Sequence, residues 1–249
     1  MRLLENKICI VTGAGKGIGN SIAEEFAKQG AIVYVNARSI NTQLENWCKQ
    51  ISESNYTRVT PIYFDVTDYQ SVKKEIMSIY STEKRIDVLV NNAGLVSYEI
   101  IPMTEINSFR NMLETNVLGT FYLLQLVSRF MTRQKGGSII NIASIVGDKG
   151  AKGQVSYAAS KGAVISLTKA ASKELAPYQI RVNAIAPGMV ATDRFLSVLN
   201  EKFPQKIDNI GMGRLAEPKE IAESCVYLAS DLSTYVTGQV LGVDGGTIL

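Results

Sequence analysis

Ile8-Cys9-Ile10-Val11-Thr12-Gly13-Ala14-Gly15-Lys16-Gly17-Ile18-Gly19 decides how the rest of the chain is read. Its first four residues form a short apolar run, the pattern of a strand buried on both faces. Four glycines in seven positions follow. Ile22, Ala23, Phe26 and Ala27 then recur at helical spacing. A strand, a glycine turn and a helix start in that order make a cradle for phosphate. Glycines carry no Cβ, so backbone N–H groups can reach a pyrophosphate, and the helix N-terminus adds partial positive charge. Gly13 and Gly15 open the dinucleotide pattern G-x-G-x-x-G, but Ile18 stands at its third glycine. The spacing that fits is T-G-x-x-x-G-x-G, through Thr12, Gly13, Gly17 and Gly19. A P-loop is excluded, because no Gly-Lys pair here is followed by Ser or Thr.

Outward from this stretch, strand-like and helix-like runs alternate. The apolar runs predict strands over 7–12, 31–37, 58–64, 86–91, 138–143, 180–186 and 239–243. Helical spacing predicts helices over about 18–29, 40–53, 68–81, 104–133, 154–176 and 217–229, with Asp68 and Thr104 as N-caps and Gly30 as a stop. Repeated β-α-β units imply a parallel sheet with helices on both faces and right-handed crossovers. No linker, low-complexity tract or repeat divides residues 1–249. The expectation is an α/β fold, a single doubly wound domain of about seven parallel strands. Ligands of such sheets bind beyond the carboxyl ends of the strands.

Composition narrows the function. Hydrophobic residues are 46% and charged residues 20%, as in a soluble globular protein with a sizeable core. A net charge of +3 is too small to argue for nucleic acid. No signal peptide and no membrane span are visible, so no membrane association is expected. Cys9, Cys48 and Cys225 form neither a redox pair nor a metal spacing, which points to a reducing cytoplasm and no metal. The histidine count is zero. Ser-His-Asp and Cys-His catalysis are therefore impossible, and proton transfer falls to Tyr, Lys, Cys or a carboxylate.

Dinucleotide proteins that prefer NAD(H) place Asp or Glu about 20 residues past the glycine turn, for the ribose 2′-hydroxyl. Here that region reads Val35-Asn36-Ala37-Arg38-Ser39, without an acid. Arg38 is placed to meet a 2′-phosphate, and Lys16 adds a second cation, so NADP(H) is preferred over NAD(H). Asp65 can accept from an adenine amino group with Val66 packed on the ring, or it can be a turn residue. Asn91-Asn92-Ala93-Gly94 suits a close approach to a ligand or a plain turn. Ser144 ends the fifth strand. Tyr157 and Lys161, four apart on a helix, share one face with Cβ atoms about 5–6 Å apart. An ammonium beside a phenol favours phenolate and predicts a lowered pKa for Tyr157.

Thr12-Gly13-x-x-x-Gly17-x-Gly19, Asn91-Asn92-Ala93-Gly94, Asn116, Ser144, Tyr157-x-x-x-Lys161 and Pro187-Gly188 occur in the order of the short-chain dehydrogenase/reductase family. The chain resembles that family over essentially its whole length. The resemblance implies a Rossmann-like NAD(P)(H) oxidoreductase with a catalytic tetrad of Asn116, Ser144, Tyr157 and Lys161. By it, Tyr157 protonates the carbonyl oxygen and Ser144 orients it. Lys161 binds the nicotinamide ribose and lowers the Tyr157 pKa, and Asn116 holds a water that links Lys161 to solvent. Cofactor contacts are implied at Gly13, Gly15, Lys16, Gly17, Ile18, Gly19, Arg38, Asp65, Val66, Asn92, Gly94, Tyr157 and Lys161. Pro187, Gly188, Val190 and Thr192 would lie along the nicotinamide.

Within the family the chain looks most like bacterial 3-oxoacyl-[acyl-carrier-protein] reductases, through Val90–Gly94, the 136–141 strand entry, Arg181–Gly188 and the 235–246 ending. These pieces are shared with sugar, polyol and steroid dehydrogenases, which stay open as alternatives, as does a dinucleotide sensor without catalysis. The segment 189–213 carries Phe195, Leu196, Leu199, Phe203, Ile207, Ile210 and Met212, and reads as a mobile lid for an acyl chain or as an amphipathic helix pair. Arg129, Arg133, Lys135, Lys169 and Lys173 suit an acidic acyl carrier protein or are a solvated face. Val96-Ser97-Tyr98-Glu99 is more polar than an acyl pocket requires. Phe121, Leu124, Val127, Leu167 and Ala171 exceed one core stripe on the helices 104–133 and 154–176. By the resemblance these pack on a second subunit in a homotetramer.

Overall fold

The computed structural model describes residues 2–202 and 206–248. The chain runs β1 (Ile8–Val11), α1 (Gly17–Lys28), β2 (Ile32–Ala37), α2 (Thr42–Asn55), β3 (Val59–Tyr63), α3 (Tyr69–Glu83), β4 (Val88–Asn91), α4 (Ile106–Leu113), α5 (Gly119–Gln134), β5 (Gly137–Ile142), α6 (Ile145–Lys149), α7 (Val155–Leu175), β6 (Ile180–Pro187), α8 (Asp193–Lys202), α9 (Pro218–Ala229) and β7 (Val240–Val243). The strands form one sheet in the order β3-β2-β1-β4-β5-β6-β7, every pair parallel. This is the doubly wound Rossmann-like arrangement expected. The order reverses between β1 and β4, so a crevice opens beyond their carboxyl ends.

Period-two side-chain alternation divides the core between the sheet's two faces. Cys9, Val11, Val33, Val35, Val88, Val90 and Ile140 join Ile22 and Phe26 of α1 and Ile221 and Cys225 of α9. Ile8, Ile10, Leu89, Ile139 and Val182 join Ile76 of α3, Leu123, Val127 and Met131 of α5, and Leu175 of α7. Burying both faces explains why these strands read as unbroken apolar runs.

Three sequence expectations need correction. The predicted helix 104–133 is two helices, α4 and α5, joined through a π-helical turn at Glu114–Leu118. Apolar spacing continues smoothly through such a turn and hides it. Thr104 is not an N-cap. Its hydroxyl donates back to Ile100 O at 3.1 Å, and the cap position belongs to Glu105. Leu124, Val127, Leu167 and Ala171 pack in this chain's own core, and only Phe121, 39% exposed, is left on the surface. Asp68 does cap α3, accepting from Gln70 N and Ser71 N, and Gly30 follows α1 at φ +86°. Helix α6 was not assigned from the sequence, and α8 falls in the segment 189–213 read as a lid or an amphipathic helix pair.

Candidate active site

The glycine turn is held from below by three polar side chains. Thr12 Oγ1, buried, accepts from Asn92 N at 3.0 Å and Ala93 N at 3.1 Å. The Asn92 amide donates to Thr12 O at 2.8 Å and Gly13 O at 3.0 Å. Asn36, buried inside β2, accepts from Gly13 N at 3.2 Å and donates to Ala37 O and Phe64 O, each at 3.1 Å. Gly13 itself sits at φ +59°, and a Cβ there would lie 2.7 Å from Ala93 Cα, so no other residue fits without moving the β4 end. Asn36 escaped the sequence reading, although an amide within the apolar run of β2 was its signal.

Above this scaffold, α1 begins with Gly17, Ile18 and Gly19. Its N-cap, Lys16, makes no side-chain capping bond. The first N–H groups of α1 are thus left for an external acceptor. Gly13, Lys16, Gly17, Ile18, Gly19, Arg38, Asp65, Val66, Asn92, Gly94 and Thr192 all line one cleft of about 480 Å³. Gly15 lies beside it, its nearest neighbour for a Cβ being the Ala37 methyl at 3.7 Å. Arg38 and Lys16 are exposed on the cleft wall, and no carboxylate ends β2. Asp65 Oδ1 accepts from Thr67 N at 2.9 Å and Thr67 Oγ1 at 2.8 Å, so it does make the turn. Val66 is buried beneath the wall. This donor set, with three cations (Lys16, Arg38 and Arg194) and an uncapped helix start, fits an anionic dinucleotide.

A second cleft, about 230 Å³, continues from the first. Ile18, Asn92, Gly94, Thr192 and Arg194 line both. Its floor carries Ser144, Tyr157 and Lys161. Ser144 ends β5 as the N-cap of α6 and accepts from Val146 N at 3.2 Å. Helix α6 packs directly on α7, because a Cβ at Gly147 would lie 2.6 Å from the backbone of Lys161. That close approach sets Ser144 and Tyr157 together on the cleft floor, near enough for the serine hydroxyl to oppose the upward shift of the phenol. The Lys161 ammonium, 5% exposed, donates to Ile142 O at 2.6 Å and lies 5.8 Å from the centroid of the Tyr157 ring. Asn116, in the π turn, accepts from Leu95 N at 2.7 Å and donates to Leu95 O and Ser160 Oγ, each at 2.9 Å. Its carbonyl accepts from Thr120 Oγ1 at 2.8 Å. Ser160 in turn donates to Tyr157 O at 2.8 Å. The four expected residues therefore meet at one place, with Ser160 as an unforeseen tie.

The expected fall in the Tyr157 pKa is absent. Burial pushes the phenol up to about 12, against the opposing hydrogen bond from Ser144. The reason is where the ammonium goes: Lys161 is drawn to a main-chain carbonyl rather than to the phenol oxygen, and burial lowers its own pKa to about 8. At neutral pH the phenol is thus a protonated donor. A stability consequence follows. In the unfolded chain Lys161 titrates near 10.5, so between pH 8 and 10.5 the unfolded state binds more protons and folding stability rises with pH. Tyr157 acts in the reverse sense only above pH 10, where stability falls as pH rises toward 12. The urea midpoint of the wild type should climb from pH 8 to 9.5 relative to Lys161→Met. Equal slopes in the two proteins would contradict the buried ammonium.

Pro187 and Gly188 close β6, and Val190 and Thr192 line the cleft below α8. Val190 bridges Ala216, and Ile210 bridges Thr247, so 189–213 is fastened at both ends. Phe195 of α8 lines the cleft, while Leu196 and Met212 are exposed and Ile210 is buried. Phe203 and the side chain of Leu199 lie outside the described residues. Arg194 of α8 donates to Val96 O at 3.0 Å, across the cleft mouth. Among the described residues no group of three or more His, Cys, Asp or Glu could hold a metal ion, and no helix is long and apolar enough to cross a membrane.

Residues 13–247 match the family described as Enoyl-(Acyl carrier protein) reductase. The 3-oxoacyl-[acyl-carrier-protein] reductase FabG of Thermotoga maritima is 39% identical over 251 residues, covering 99% of this chain and 99% of that one. The enzyme of the same name from Chlamydia trachomatis is 39% identical, over 98% of each. The structure of a short-chain type dehydrogenase/reductase from Mycobacterium ulcerans superposes with a TM-score of 0.93 at 28% identity, covering 98% of this chain and 90% of that one. Together with the glycine turn at the sheet's switch point and the meeting of Ser144, Tyr157 and Lys161, these likenesses leave one assignment: the chain belongs to the short-chain dehydrogenase/reductase family.

Proposed function

We propose that this protein is an NADPH-dependent reductase that converts the ketone of a 3-oxoacyl thioester, carried on acyl carrier protein, to a secondary alcohol in fatty acid synthesis. The observation that carries the reading is the meeting of Ser144, Tyr157 and Lys161 at the floor of a cleft continuous with the glycine cradle. A reduced nicotinamide dinucleotide, when bound, supplies the hydride. Tyr157 gives its proton to the carbonyl oxygen, for which a phenol held protonated at neutral pH is suited. Ser144 holds that oxygen beside the phenol. Lys161 binds the nicotinamide ribose and returns a proton to Tyr157, a role that a buried amine with a pKa of about 8 can fill. Asn116 fixes the Leu95 turn and orders the water route outward. Gly13, Gly15, Gly17, Ile18 and Gly19 take the pyrophosphate, and Arg38 and Lys16 take the 2′-phosphate. Asp65 and Val66 hold the adenine. Asn92 and Gly94 shape the ribose wall, and Pro187, Gly188, Val190 and Thr192 flank the nicotinamide.

The acyl substrate is supported by the names of the relatives and by the apolar segment 189–213, which acts as a lid. Exposed Arg129 and Arg133 on α5, and Lys169 and Lys173 on α7, stand at i, i+4 spacing and offer an acidic carrier its docking charges. Phe121, Leu241 and Ile248 leave apolar surface for a homotetramer, which a monomer by light scattering would exclude. The place of action we infer is the cytoplasm. The test is a panel read by NADPH oxidation: acetoacetyl thioester, crotonyl thioester, and a sugar ketone. Turnover of the acetoacetyl thioester at least tenfold above the others is expected. Preference for the crotonyl thioester or the sugar ketone would replace the substrate assignment.

A further inference from the structure

The carbonyl cleft is lined by two cations, Lys161 and Arg194, and by no carboxylate. Lys161 is committed at the floor to Ile142 O. Arg194 stands at the mouth, on the first turn of α8, exposed to solvent. Among the described residues one of its five donors is used, on Val96 O at 3.0 Å. That bond fastens it to Val96, at the start of the polar segment 96–99. Among the described residues no acidic side chain is paired with it. Gln154, on the same wall and 7% exposed, adds a further donor. A guanidinium left open at the entrance of a cleft without carboxylates favours an anion there. Arg194 stands where the two clefts join, but the pyrophosphate has its own positive end in the start of α1, and on the carbonyl side Arg194 acts on Tyr98 and Tyr157.

We propose that Arg194 is a specificity-determining residue that receives an anionic group of the substrate, carboxylate or phosphate, at the mouth of the cleft. The assignment rests on the ketone-reductase reading. A planar guanidinium held by one main-chain bond keeps a forked pair of donors for such a group, which a lysine would meet only as a point charge.

The experiment compares wild type, Arg194→Met and Arg194→Lys on three ketones: neutral acetoacetyl N-acetylcysteamine, acetoacetate, and acetoacetyl-coenzyme A. In Arg194→Met the ratio of KM for an anionic ketone to KM for the neutral one should rise about tenfold or more, with kcat changing less than KM, and Arg194→Lys should recover part of it. A rise confined to acetoacetate assigns a carboxylate close to the ketone. A rise confined to acetoacetyl-coenzyme A assigns a phosphate on the thioester arm. An unchanged ratio overturns the proposal, as does a weakened Kd for NADPH with no change in the ratio. Wild-type turnover of none of the three would overturn the reductase reading itself, whereas turnover of the neutral ketone with an unchanged ratio removes Arg194 alone.

Discussion

Tyr157→Phe is expected to lower kcat with acetoacetyl thioester by about 10²–10⁴-fold while the Kd for NADPH stays within about twofold. The substitution deletes one oxygen and leaves the ring that lines the cleft. No other group can take over the proton. The chain holds no histidine, and the Lys161 ammonium is tied to Ile142 O. The Ser144 hydroxyl, which accepts from Val146 N, is too weak an acid to stand in for the phenol. What survives in the variant is orientation by Ser144, which keeps binding but supplies no acid. Unchanged turnover would remove Tyr157 from the chemistry. A parallel collapse of NADPH binding would instead make it a cofactor contact.

Arg38→Asp should invert the choice of dinucleotide. The ratio of kcat/KM for NADPH to that for NADH is expected to fall by about 10²–10³-fold, read with one ketone under both cofactors. Two effects add. A charge-assisted bond to a 2′-phosphate is lost, at about 1.5–3 kcal/mol, and a carboxylate is set against the phosphate's own charge. The same carboxylate offers NADH an acceptor for its ribose hydroxyls, which the wild type lacks. Asn36 cannot provide it, because Gly13 N, Ala37 O and Phe64 O already occupy its amide. Lys16 remains and limits the loss. A constant ratio would refute the placing of the 2′-phosphate at Arg38.

Much of this molecule was legible before any coordinates. The strands were visible as apolar runs because both faces of the sheet are covered, and the helix after the glycine turn because Ile22 and Phe26 keep its period. Tyr157 and Lys161 stood out because zero histidine left few candidates and the i, i+4 spacing put them on one face, and the resemblance to the short-chain dehydrogenase/reductase family joined Ser144 and Asn116 to them. What escaped depends on contacts that spacing cannot express. The π turn at Asn116 leaves no mark on apolar periodicity. Helix α6 is one short turn, placed by the fit of Gly147 against Lys161. The direction of the Tyr157 shift turned on where one ammonium points, toward Ile142 O rather than the phenol. Leu124 and Val127 were read as intersubunit surface, yet the chain spends them on itself.

The side chains of Thr12, Asn36 and Asn92 grip the glycine turn through its own amides and carbonyls. A loop so anchored has few conformations left to lose when a dinucleotide arrives, so little ordering entropy is charged against association. Affinity for the cofactor is in this sense stored in the resting protein, and the three polar side chains that brace the turn are where it is kept.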